Sequence, residues 1–155
     1  MDSRHDRLGD DADVALLTLL TGAHRVYLTA IREALVLAGC DDMPTSGYRV
    51  IRGVARGTTR VHDLAALWGV SKQAASRLIE TLVTRSYVAR GADPDDGRRA
   101  VLGLTERGWR AGKAIRGAID ELDASLQTLV DPEQLRATRV TLRAITEGLG
   151  EGAVR

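Results

Sequence analysis

Residues 61–78 read VHDLAALWGVSKQAASRL, the pattern of two short helices meeting at a tight turn. Leu64 and Ala65 lie inside the first helix, Trp68 stands just before the turn, Gly69 is in it, and Val70, Ala75 and Leu78 follow. Each position has a physical reason. Ala65 is small where the two helices must cross closely, Gly69 can adopt the positive φ of the turn without a Cβ clash, and the apolar positions lock the angle between the helices. Ser71 is suited to cap the second helix, because its hydroxyl oxygen can accept from a free backbone N–H of the first turn. This is the spacing of a helix-turn-helix, whose second helix projects as a rigid reader. The competing reading is a helical hairpin with no partner.

The chain beyond the reader helix narrows the choice. Tyr87 to Arg90 reads as a short strand, Ala92 to Gly97 as a turn rich in Asp, Pro and Gly, and Ala100 to Leu104 as a returning strand. Strands this short make a wing and not a useful sheet. Arg98 and Arg99 sit at the tip beside Gly97, and arginine suits a narrow minor groove while a helix fills the adjoining major groove. Alternatively, these arginines neutralise Asp93, Asp95 and Asp96. On the reader helix, Gln73 can pair with adenine and Lys72 can reach guanine or phosphate. Ser71, Ser76 and Arg77 can reach base edges or backbone. Arg49, Arg52, Arg56 and Arg60 are further candidates for phosphate contact.

Working outward, residues 11–38 place Leu16, Leu20, Ala23, Tyr27, Ile31, Ala34 and Leu35 at helical spacing, closed by Gly39. Leu19, Val26 and Val36 lie off that stripe, which predicts a second apolar face against another copy of the chain. Pro44, Thr45 and Ser46 signal the start of a shorter helix that buries Tyr48, Ile51, Val54 and Ala55 and ends near Gly57. From Thr105, a long helix carries Trp109, Ile115, Ile119, Leu122, Leu126 and Leu129. Asp131 and Pro132 break it and open a last helix, with Gln134 at the capping-box position and a seam of Leu135, Leu142, Ile145 and Leu149. The predicted fold is mainly α with a small β-wing. It forms a single domain over 1–155, with a winged helix-turn-helix lobe (44–104) flanked by dimerisation helices (11–38 and 105–150).

Composition agrees with one globular core. The 155 residues are 44% hydrophobic and 28% charged, and with 3% aromatics and no Phe the core must be aliphatic. Net charge is only +1, but residues 44–104 hold ten Arg or Lys against five Asp or Glu, while the rest holds twelve against sixteen. A basic middle between acidic flanks fits a polyanion met by the middle alone. Cys40 is the only cysteine, which excludes an internal disulfide framework and a multi-cysteine zinc site. Met1 to Asp13 lacks the apolar stretch of a signal peptide, and no segment is apolar enough to span a membrane, so a cytoplasmic location is expected. His5, His24 and His62 have no metal-ligand spacing. No phosphate loop or paired carboxylates appear, so neither enzyme activity nor a cofactor or metal is expected.

These residues carry a resemblance to the multiple-antibiotic-resistance regulator (MarR) family of winged helix-turn-helix transcription factors, over nearly the whole chain. It rests on Asp63-Leu64-Ala65, Trp68-Gly69-Val70-Ser71, the run Ser76-Arg77-Leu78-Ile79 to Leu82, and Asp93-Pro94-Asp95-Asp96-Gly97-Arg98-Arg99 leading to Leu104-Thr105 and Gly108. The family's wing has an Asp, any residue, then an Arg six positions before a Leu-Thr pair, which Asp96, Gly97, Arg98 and Leu104 satisfy. The resemblance implies a homodimeric repressor that binds a palindromic DNA operator, with Arg98 in the minor groove and Asp96 orienting it. It also implies release by a small, often phenolic ligand, here near His24, Tyr27, Tyr48 and Arg52. Ser86 departs from the Gly usual at the reader helix's end. Two alternatives accompany this reading: a winged helix used for protein contacts, and a redox-sensing regulator switching through Cys40. Family thiols of that kind usually lie near the start of the first helix, whereas Cys40 follows its end.

Overall fold

A computed structural model describes residues 15–92 and 100–148 of the chain. Its elements, in order, are α1 (Leu16–Leu37), α2 (Gly47–Ala55), α3 (Val61–Trp68), α4 (Lys72–Thr84), β1 (Val88–Ala92), β2 (Ala100–Leu104), α5 (Glu106–Leu129) and α6 (Pro132–Gly148). The strands pair antiparallel, with Val88 opposite Leu104 and Ala92 opposite Ala100. The described residues are thus helical with one small hairpin, as the sequence predicts. Leu102 N–H donates to Thr59 O at 2.8 Å, so the hairpin is also stitched to the loop before α3.

The core lies where α2, α3, α4 and the wing's base meet α5. Val50, Ile51, Leu64, Ile79, Leu82, Tyr87, Val88 and Ile115 are fully buried there, and each large aliphatic contributes roughly 1.5–3 kcal/mol by leaving water. α2 buries a different face from the one expected. Val50, Gly53 and Gly47 join Ile51 and Val54, while Ala55 is exposed and Tyr48 half-buried. The cause is close packing on α3, since a Cβ on Gly53 would overlap Leu64 Cδ2. Nor does Ser46 cap α2 with its side chain; the helix starts at Gly47, whose N–H donates to Pro44 O at 2.7 Å.

Within one chain, only part of the apolar stripes of α1 and α5 is buried. On α1 only Ile31 and Leu35 are buried, while Leu16 and Ala23 are exposed, because only the C-terminal half of α1 lies against the core. On α5, Gly108, Ala111, Ile115 and Ala118 are buried, whereas Trp109 and Leu129 are exposed. The small residues let α5 approach its neighbours closely, and Trp109 is left at the surface.

Four helices end in the same way. After α1, α2, α3 and α4 the residues Gly39, Gly57, Gly69 and Ser86 take a positive φ. The next N–H then reaches back to a carbonyl of the last turn: Cys40 to Leu35, Thr58 to Gly53, Val70 to Ala65 and Tyr87 to Leu82. This is the Schellman arrangement, which satisfies carbonyls that would otherwise lack partners. Ser86 therefore does the glycine's task at φ 58°. The start of α6 also follows expectation: Asp131 Oδ1 accepts from Glu133 N–H at 2.7 Å, and Gln134 Oε1 accepts from Asp131 N–H at 3.3 Å.

Candidate nucleic-acid interface

The reader helix α4 is fixed from below and open above. Ala75, Ile79 and Leu82 are buried and Leu78 is half-buried, which leaves Ser71, Lys72, Gln73, Ala74 and Arg77 exposed and Ser76 partly so. Ser71 Oγ accepts from Ala74 N–H at 3.1 Å, which caps the start of the helix and leaves the hydroxyl proton free to donate. Ala65 is buried at the crossing with α3, and Gly69 turns the chain at φ 63°. The five expected residues of this helix thus lie together at its N-terminal half. Asp96, Arg98 and Arg99, the expected wing contacts, lie outside the described residues. The wing's base is held to the reader by an ion pair from Arg90 to Glu80, a link the sequence did not reveal because the two residues lie on different elements.

At the other end of α4 lies a polar cluster that the sequence reading also missed. Arg107, in the first turn of α5, donates from Nη2 to Asp42 Oδ1 at 2.9 Å, and from Nη1 to Arg85 O at 2.8 Å and Asp42 Oδ2 at 3.4 Å. Its guanidinium lies 4.4 Å from the centroid of the Tyr87 ring. The Tyr87 hydroxyl donates to Asp42 Oδ1, and Arg85 Nη1 donates to Asp42 O. The hydrogen bond from Tyr87, aided by the charge of Arg107, holds the Asp42 carboxyl below its ordinary range. Burial and the same hydrogen bond push the Tyr87 hydroxyl well above the usual tyrosine range. Beside this cluster the Thr105 hydroxyl donates to Ser86 O at 2.6 Å, and a Cβ on Gly108 would overlap Tyr87 O.

The four expected ligand contacts are not all brought together. A cleft of about 530 Å³ between α2 and α5 is lined by Arg52, Arg56, Trp109, Lys113, Arg116 and Asp123, among others. Arg52 is the one residue of the expected set in its wall. Tyr27 reaches that wall indirectly, since its hydroxyl donates to Asp123 Oδ1 at 2.5 Å. Burial, then this bond, raises Tyr27 to about 12. His24 Nε2 lies 3.4 Å from the Tyr48 hydroxyl, and neither lines the cleft. Arg49 lies 5.9 Å from the centroid of the Tyr48 ring. Cys40 is fully buried, with Sγ 3.6 Å from Ala38 O, so an oxidant would reach it only after the turn following α1 opens.

Among the described residues no cluster of three or more metal-binding side chains occurs, and no helix is long and apolar enough to cross a membrane. Comparison with known proteins agrees with the geometry. A family model described as MarR family matches residues 41–99, most of the lobe. The uncharacterized protein Rv2011c of Mycobacterium tuberculosis is 28% identical over 118 residues, which cover 76% of this chain and 82% of that one. The crystal structure of CouR from Rhodococcus jostii bound to p-coumaroyl-CoA shares 24% identity and a TM-score of 0.67, over 83% of this chain and 90% of its own. A cysteine-to-serine mutant of MarR from E. coli, complexed with operator DNA, shares 17% identity and a TM-score of 0.68, over 87% of this chain and 96% of its own. These structural likenesses establish the fold beyond the lobe. Residues 41–99 thus match the MarR family model, and the chain as a whole shares the fold of these solved regulators.

Proposed function

We propose that the chain acts as a homodimeric repressor that binds a palindromic operator and is released by a small anionic ligand. The observation that carries the DNA reading is α4 itself: a capped helix, locked by Ala75, Ile79 and Leu82, that presents Lys72, Gln73 and Arg77 to solvent. Gln73 is the proposed base reader; Ser71, Lys72, Ser76 and Arg77 assist it, and Arg98, oriented by Asp96 and joined by Arg99, enters the minor groove. Two-fold symmetry then sets the reader helices about 34 Å apart, which favours a site of roughly 16 to 20 base pairs.

The dimer is supported by apolar surface that one chain leaves uncovered. Leu16, Leu17, Leu19, Val26, Val36 and Leu37 are exposed on α1, and α6 buries no residue in 17. A helix of that length gains little stability alone, because most helical stability in proteins comes from packing an apolar face. The ligand reading is supported by the cleft, which is of a size usual for small-molecule sites. Arg52, Arg56, Lys113 and Arg116 outnumber Asp120 and Asp123 around it, which favours an anion, and Trp109 supplies an aromatic face. The proposed contacts are Arg52 in the cleft and Tyr27 through Asp123, while the His24–Tyr48 pair on α1 and α2 lies outside the cleft's wall. An occupant wedged between α2 and α5 would bias the lobe away from the separation that fits DNA.

A gel-shift against the gene's own upstream DNA and against duplexes selected from random sequence tests the reading. Binding by a dimer, weakened by p-coumaroyl-CoA or another aromatic anion, is the expected result. A monomer, or a protein that retains no duplex in dilute buffer, overturns it and favours a winged helix used for protein contacts. Derepression of a reporter on gene deletion is expected; a fall in expression would identify an activator instead.

A further inference from the structure

We propose that the cluster of Asp42, Arg85, Tyr87 and Arg107 is a positioning device that sets the tilt against α5 of the winged lobe, with the reader helix locked into it, and so fixes the half-site spacing the dimer accepts. The inference rests on the DNA-binding dimer proposed above. It begins with where the cluster sits. Asp42 comes from the turn before α2, Arg85 and Tyr87 from the end of α4, and Arg107 from the first turn of α5. Three segments thus converge on a single guanidinium, at the end of α4 remote from Lys72 and Gln73.

That end is the point about which the lobe, with α4 locked into it by Ala75, Ile79 and Leu82, would tilt. α4 has 13 residues, so its reading end lies about 20 Å from the cluster, and a tilt of roughly 10° moves it by about 3.4 Å. This is close to one base-pair step, and the two-fold doubles it. Small changes of angle at the cluster therefore become whole steps of register at the DNA.

The chemistry suits orientation more than stability. Asp42 and Arg107 are 42% and 31% exposed on their side chains, and an ion pair in that setting contributes little to folding by itself. A planar guanidinium that donates to a carboxylate and a main-chain carbonyl, while lying over an aromatic ring, is instead fixed in plane and direction. Arg85 O is the carbonyl that follows the last turn of α4, so the contact from Arg107 acts directly on the helix's end. Lysine at position 107 would keep the charge and lose the fork.

The test uses the full-length protein and the duplex that wild type selects from random DNA, together with derivatives carrying one or two base pairs inserted or removed at the dyad. Wild type should prefer the selected spacing by roughly tenfold or more, in line with the cost of misplacing base contacts. Arg107→Met and Asp42→Asn should cut that preference to about threefold or less, while affinity for the selected duplex falls by less than about tenfold. Arg107→Lys should fall between. A merely structural role would lower the melting temperature and leave the spacing ratio alone. If those variants fail to fold, Tyr87→Phe, which removes one hydroxyl, carries the test. Folded variants that keep the wild-type ratio overturn this inference and leave the DNA reading intact. Wild type that selects no duplex overturns both.

Discussion

Ser86 and Gly108 both lie at the junction of α4 and α5, one at a position that would suit glycine and the other at a position that admits nothing larger. Ser86 sits at φ 58° with an exposed side chain, where an L residue is strained and glycine is not. Ser86→Gly should therefore stabilise the protein by about 0.5–1 kcal/mol after the glycine's extra unfolded-state entropy is offset, which raises Tm by roughly 1–4 °C in a thermal melt. Gly108 has no such freedom, because its Cα lies against the Tyr87 carbonyl. The titrating side chains at this scale have opposite signs. Tyr27 is raised to about 12 and Tyr87 is raised further. Their contribution is complete below about pH 10 and is lost as pH climbs through the folded values. Asp42 is lowered, so its contribution is present above about pH 4 and is lost as pH falls through its folded value. An ultraviolet phenolate titration should show Tyr27 and Tyr87 ionising late. A shorter delay in Asp42→Asn and in the separate variant Asp123→Asn would report the share of these bonds, the remainder being burial.

The helices illustrate which local signals are sufficient. Gly39, Gly57 and Gly69 mark three endings from sequence, and Asp131 with Gln134 marks a beginning. All of these operate within a turn or two of the chain. The faces of α1 are another matter. Leu19, Val26 and Val36 are 48%, 54% and 55% exposed, so in a lone chain Val26→Glu with Val36→Glu should change stability by only about 0.5 kcal/mol or less each. In the proposed dimer the same pair of charges would be buried and unpaired. Sedimentation should then report a shift to monomer, with DNA binding lost at concentrations where wild type remains bound. A variant that stays dimeric would place the interface elsewhere.

For the whole molecule, the charge partition has a measurable consequence. With three to five phosphates neutralised by each protomer, the slope of log affinity against log salt should lie near −5 to −9 for the dimer. A slope near zero would refute the electrostatic argument from residues 44–104.

Periodicity, caps and turn glycines made the architecture and the reader helix legible, because each is set by neighbours close along the chain. Folding alone decided the rest. Asp42 meets Arg107 across 65 residues and Tyr27 meets Asp123 across 96, and no local pattern encodes which polar groups converge when helices pack. The same cause hid the true face of α2. A helix's stripe states which side is apolar, while the approach distance to its neighbours, set here by Gly53, Gly108, Ala111 and Ala118, determines which residues that packing covers.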